Sequence, residues 1–210
     1  MNSTSRLVRV FRARFARSYA LHPAAASNLR VALAAAFIAS ASLLVPACAH
    51  AQVGTVSLLD YHTAVPADWT PRAASSSMRL AEYVVAPLPS APNAGGAEVV
   101  VYFFGKGQGG NVEANLTRWK AQFSNPDGSS APETITRDSA GAFPITFAEY
   151  RGTYARGIGA GDAANAKPGQ TLLAGIAETP KGTLFIQLFG PTARVSVERE
   201  TLMRFVRGLK

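Results

Sequence analysis

Residues 102–123 read YFFGKGQGGNVEANLTRWKAQF. Glycines at 105, 107 and 110 give a formal G-x-G-x-x-G between an apolar run and a helix-like segment. In a dinucleotide-binding turn that spacing lets bare main-chain amides and a helix N-terminus cradle a pyrophosphate. The motif also requires a second parallel strand ending in an acid about 20 residues further on. Asp127 has the right separation from Gly105, but it sits inside the turn NPDGSS with no strand before it. The third glycine precedes Asn111, a capping residue type, instead of entering the helix. No G-K-[ST] exists for a phosphate-binding loop. The glycines are therefore read as a hinge that turns the chain from a strand onto a sheet face. Lys106, Gly107, Gly109, Gly110 and Asn111 remain the candidate anion- or ligand-binding residues, and no cofactor is expected.

Other chemistry is sparse. A basic leader dominates the N-terminal quarter: residues 1–51 hold six arginines and no acid, followed by the apolar run 31–44 and Ala49-His50-Ala51. That pattern describes an export signal cleaved after Ala51, placing the product in the periplasm or outside the cell. Val45-Pro46-Ala47-Cys48 offers an alternative, a lipid anchor at Cys48. Beyond residue 51, 15 basic residues face 13 acidic ones, a net charge of about +2 with signs interspersed. Nucleic-acid binding needs clustered cations, so it is not expected. His62 is then the sole histidine and no cysteine remains, so a metal site with two or more His or Cys ligands is excluded. No G-x-S-x-G elbow accompanies His62, and no pair of carboxylates stands out, so no catalytic residue is assigned. A hydrolase of unfamiliar type, with acids near the 105–111 turn, is the enzymatic alternative. Asn115-Leu116-Thr117 matches a glycosylation sequon but falls inside the expected helix.

These residues must be held by an α+β fold. Residues 78–85 and 97–104 read as strands, the second rich in β-branched and aromatic types. Asn111 starts a helix whose Val112, Leu116, Trp119 and Phe123 form one apolar stripe, stopped by Asn125-Pro126-Asp127-Gly128. Residues 133–137 and 143–150 read as strands, and 156–170 as a Gly/Ala-rich loop. Residues 171–178 and 183–189 read as a hairpin about Thr179-Pro180-Lys181-Gly182. Val195, Leu202, Phe205, Val206 and Leu209 mark a second amphipathic helix. The order predicts a mostly antiparallel β-sheet packed by two or more amphipathic helices, an α/β/α sandwich. Residues 52–77 are read as an extended N-terminal segment and 78–210 as a single domain, with no membrane span after cleavage. Trp69, Tyr83, Phe103, Trp119, Phe123 and Phe185 serve either as core or as the lining of a pocket between helix and sheet.

The phrases VPADW (65–69), MRLAEYVV, AEVVVYFF, W-x-P (69–71) and RW-x-x-QF (118–123) resemble a group of uncharacterised bacterial exported proteins. Their wider organisation is similar to PsbP/Mog1-like domains. The resemblance implies an α/β/α sandwich around an antiparallel sheet, serving as a binding or accessory module with an unidentified protein or small-molecule partner. It carries over no catalytic residue.

Overall fold

The computed structural model describes residues 54–155 and 166–210, all within the unit Cys48–Lys210. The leader with its cleavage and anchoring alternatives, and residues 156–165 of the glycine-rich loop, lie outside the described residues. Along the chain run β1 (Gly54–Leu58), β2 (Tyr61–Val65), β3 (Trp69–Arg72), β4 (Arg79–Val85), β5 (Ala97–Tyr102) and α1 (Val112–Lys120). After them come β6 (Phe123–Ser124), β7 (Glu133–Ala140), β8 (Phe143–Tyr154), β9 (Lys167–Thr179), β10 (Gly182–Pro191) and α2 (Thr192–Arg207).

Eight strands form one sheet in the order β3-β4-β5-β10-β9-β8-β6, with β7 also pairing β8. Every pairing is antiparallel. The fold class is α+β, as expected from the sequence. Strand side chains alternate between faces, so each central strand supplies two layers. Val99, Val101, Leu184, Ile186 and Leu188 belong to the core beneath α2, joined by its Val195, Leu202, Phe205 and Val206. Ala174, Ile176, Tyr150 and Phe185 belong to the opposite core, joined by Val112, Leu116 and Trp119 of α1. Such two-sided burial explains why β9 and β10 read as near-continuous apolar runs. β9 also begins earlier than the sequence suggests: Lys167 and Gln170, assigned to the loop, pair with Tyr154 and Gly152 of β8.

The largest correction concerns residues 52–77, expected to precede the domain. β3 pairs with β4 and forms one edge of the sheet, with Pro71 opposite Tyr83. β1 and β2 form a separate hairpin, and Leu58 and Trp69, 0% and 3% exposed, are part of the core beneath α2. The hairpin escapes a sequence reading because its turn carries no Gly or Asn. Leu59 takes the left-handed conformation instead, with φ of 57°. Main-chain bonds between His62 and Lys210, and Thr63 Oγ1 donating to the Phe205 carbonyl at 2.7 Å, fix the hairpin to the end of α2.

α2 is anchored at its other end by charge. Arg194 and Glu198, one helical turn apart, pair at 2.7 Å with side chains only 9% and 4% exposed. Trp69 Nε1 donates to Glu198 at 3.0 Å, and Arg194 Nε donates to the Ala86 carbonyl at 2.8 Å. Removing one member of a buried pair leaves the other unsatisfied, whereas replacing both with apolar groups is often tolerated. Glu198→Ala is expected to lower the unfolding free energy by about 3–5 kcal/mol in urea denaturation, and Arg194→Met with Glu198→Leu to recover most of that loss.

Candidate functional site

The glycine turn is built from its own groups. Gly105, Gly107, Gly109 and Gly110 all have positive φ (106°, 74°, 89° and 80°). At Gly109 an added Cβ would lie 2.8 Å from the Phe185 ring and 2.9 Å from Phe104, so the main chain rests directly on the sheet's aromatic surface. Asn111 Oδ1 accepts from the Ala114 amide at 2.8 Å and caps α1. Asn115, 1% exposed, donates from Nδ2 to the carbonyls of Gly109 (2.9 Å) and Asn111 (2.8 Å), while Arg118 donates to its Oδ1. The sequon asparagine is thus the buried fastening of the turn, a role its sequence context does not signal. Lys106, Gly107, Gly110 and Asn111 stand at the surface of this one turn, and Gly109 is half-buried. The acid in the first turn of α1, Glu113, is exposed and pairs with Arg137 at 3.5 Å.

A second feature was not legible beforehand. α1 has nine residues and covers only part of its sheet face. The cross-strand register places Val84, Glu98, Phe189 and Leu172 in one row over the remainder, and Glu82, Val100, Gln187 and Ala174 in the next. Above these rows lies a groove of about 300 Å³ bounded by Arg79, Tyr102, Gln122, Tyr154 and Lys167. A neighbouring groove of about 460 Å³ shares Glu98, Lys167 and Phe189 with it and continues to Arg72, Gly95, Gly96 and Pro191. Tyr154 and Phe189 pack at 4.6 Å between ring centroids, and Arg79 stands 5.2 Å over Tyr102. Gln187 lies mid-strand in the central β10, half-buried, between Phe185 and Phe189 on the same strand face, with Glu82 and Glu98 in the rows alongside. Among the described residues its amide has no hydrogen-bond partner. The side chains of Gln122 and Lys167 are likewise unpartnered among them.

Most charge on the walls is already neutralised. Glu82, 1% exposed, accepts from Arg72 Nε (3.2 Å) and Nη2 (2.8 Å), and from the Ser75 amide (2.6 Å) and hydroxyl (2.8 Å); Arg79 lies 3.2 Å away. The Ser75 amide above all, with the Ser75 hydroxyl and the two arginines, pulls its carboxyl from the usual 4.5 down to about 2, against the opposing effect of burial. Arg72 also pairs with Glu98. Under α1, burial pushes the Tyr150 phenol up to about 12, with the Glu133 charge adding to the rise. That phenol donates to the Leu116 carbonyl at 3.1 Å, which is a structural role. Among the described residues no group of three or more His, Cys, Asp or Glu is arranged to hold a metal, and no helix is long and apolar enough to cross a membrane. The aromatic residues noted in the sequence divide between two cores, Trp69 and Tyr83 beneath α2 and Trp119, Phe123 and Phe185 beneath α1. Phe103 packs half-buried at the edge of the first.

Comparison with protein-family profiles gives no match. Comparison with curated proteins gives none either. Among solved structures, the chain is similar to PA94 from Pseudomonas aeruginosa, described as a protein of unknown function and putative regulator. The identity is 11%, over 75% of this chain and 95% of that one, with a TM-score of 0.43. It is also similar to the cyanobacterial PsbP (CyanoP) of Synechocystis sp. PCC 6803, at 10% identity over 75% and 91% of the two chains and a TM-score of 0.44. The α+β class rests on the chain's own strand order and helix placement.

Three substitutions test this geometry. Gly109→Ala combines positive φ with a clash against two rings, and is expected to cost about 1–3 kcal/mol in urea denaturation. Gly107→Ala, with nothing within 4 Å of the added carbon, should cost only about 1 kcal/mol. For Glu82 the folded value lies below the unfolded one, so its carboxylate stabilises the fold fully above pH 4.5 and progressively less as pH falls toward 2. Glu82→Gln is expected to flatten that acid limb in a series of melting temperatures against pH.

Proposed function

We propose that the chain is an exported, non-catalytic binding module whose ligand lies in the groove over the uncovered half of the α1 face. The observation that carries this reading is Gln187. A primary amide has two donor hydrogens and an acceptor oxygen, and at the accessible surface of the groove they are available to a ligand that both donates and accepts. A residue selected only to pack the middle of a sheet would be aliphatic. Rings at Tyr102, Tyr154 and Phe189 add flat apolar walls, the usual composition of a ligand site. Glu82 and Glu98, the two carboxylates near the groove, are both tied to Arg72, which supports binding over acid–base catalysis. The basic leader, apolar run and Ala49-His50-Ala51 support export.

The test is a ligand screen followed by amide NMR on the mature protein, whose mass should show Gln52 as its first residue. A ligand of this site is expected to shift the Gln187 side-chain amide and the Phe189 main-chain amide saturably, and Gln187→Leu to weaken it about tenfold without loss of melting temperature. Ligands that instead shift only residues remote from β5, β9 and β10, or turnover of a screened substrate, would overturn the reading.

A further inference from the structure

The two grooves adjoin on the sheet face, with Glu98, Lys167 and Phe189 lining both. Taking the adjoining grooves as one channel, and resting on the binding role above, we infer that the ligand is a neutral oligosaccharide lying across the strands.

Three features select that chemistry. The first is charge. Arg72 and Arg79 both engage Glu82, and Arg72 also engages Glu98. Lys167 is the one wall cation without a carboxylate partner among the described residues. Among the described residues a phosphate or polyanion would find a single available cation, too few for the clustered contacts such ligands require.

The second is the kind of polar group. The unpartnered side chains are two primary amides, Gln122 and Gln187, and one ammonium. Amides donate and accept together, which suits hydroxyl groups that also do both. An acyl chain would leave all three unmatched in a dry groove, a penalty for each. The third is direction. β5, β10 and β9 are paired on both sides, so their main-chain groups are not available to an added strand. An extended peptide would therefore lose the main-chain hydrogen bonds that give strand addition its affinity. Sugar rings need no such bonds. They present flat C–H faces to aromatic walls, and hydroxyl edges to planar amides. The half-exposed rings of Tyr154 and Phe189 provide the wall, and Gln187 lies beside them. At the far end Gly95, Gly96 and Gly190 keep the channel floor low.

The experiment titrates the isotope-labelled mature protein with cellohexaose, maltohexaose, chitohexaose and laminarihexaose, with naphthalene-2-sulfonate as a flat non-sugar control. At least one hexasaccharide is expected to shift the Gln187 and Gln122 side-chain amides saturably below about 1 mM. Phe189→Ala and Gln187→Ala should each weaken it about tenfold, and Lys167→Ala, an exposed side chain whose loss leaves the fold untouched, should weaken it as well. Shifts of these amides by the naphthalene probe alone would overturn the sugar inference and leave the binding groove standing. No shift of these amides by any probe up to about 10 mM would overturn the inference together with the groove reading.

Discussion

The organisation of this protein follows from a mismatch of lengths. Seven strands side by side at about 4.8 Å spacing span nearly 30 Å, and the two helices assigned to cover them are unequal. α2, with 16 residues, extends about 24 Å and has the β1–β2 hairpin beside it, with a cavity of about 620 Å³ between them lined by His62, Thr63, Thr201 and Arg204. α1, with nine residues, extends about 13 Å. It can be that short because Gly109 brings the chain onto the sheet at contact distance and Asn115 locks the turn immediately. Among the described residues, the part of that face beyond α1 is where polar side chains appear among apolar rows.

Charge plays two different parts in the same sheet. On the α2 side, Arg194 and Glu198 are buried and paired, with Trp69 donating to Glu198 and Arg194 donating to the Ala86 carbonyl. Their directional bonds fix where α2 sits against β3 and the end of β4. On the α1 side, Glu82 gathers Arg72, Arg79 and Ser75 into a closed cluster at the rim of the groove. That cluster leaves the groove walls close to neutral. Ion pairs of this sort are weak evidence for stability but strong determinants of geometry.

Much of the architecture was legible in the sequence. β4, β5, both helices and the β9–β10 hairpin announced themselves through periodicity, capping and a Pro-Lys-Gly turn, because in each the apolar pattern matches the burial observed. The Asn111 cap was legible for the same reason. The β1–β2 hairpin was not, since one buried leucine in five residues and a turn at Leu59 give no periodic signal. β3 was hidden by Pro71, which ordinarily argues against a strand and is tolerated at a sheet edge. The groove could not be read at all. It depends on the cross-strand register that sets Gln187 beside Val100 and Phe189 beside Glu98, and register is a property of the pairing, not of any single segment. Asn115 shows the converse. Its sequon, already set aside for lying within the expected helix, gives no hint that burial dedicates both ends of its amide to the turn and to Arg118.

The proline in β3 reaches beyond the packing of one chain. An unpaired edge strand is a template on which another molecule's strand can add, and proline removes one of the donors that such addition requires. β3 is only four residues long and follows Pro71 with a charged Arg72. The opposite margin, β7, carries Glu133, Arg137 and Asp138 along a largely exposed ribbon. Both borders of the sheet therefore discourage edge-to-edge growth. At high local concentration such borders disfavour polymerising through the chain's own β-structure.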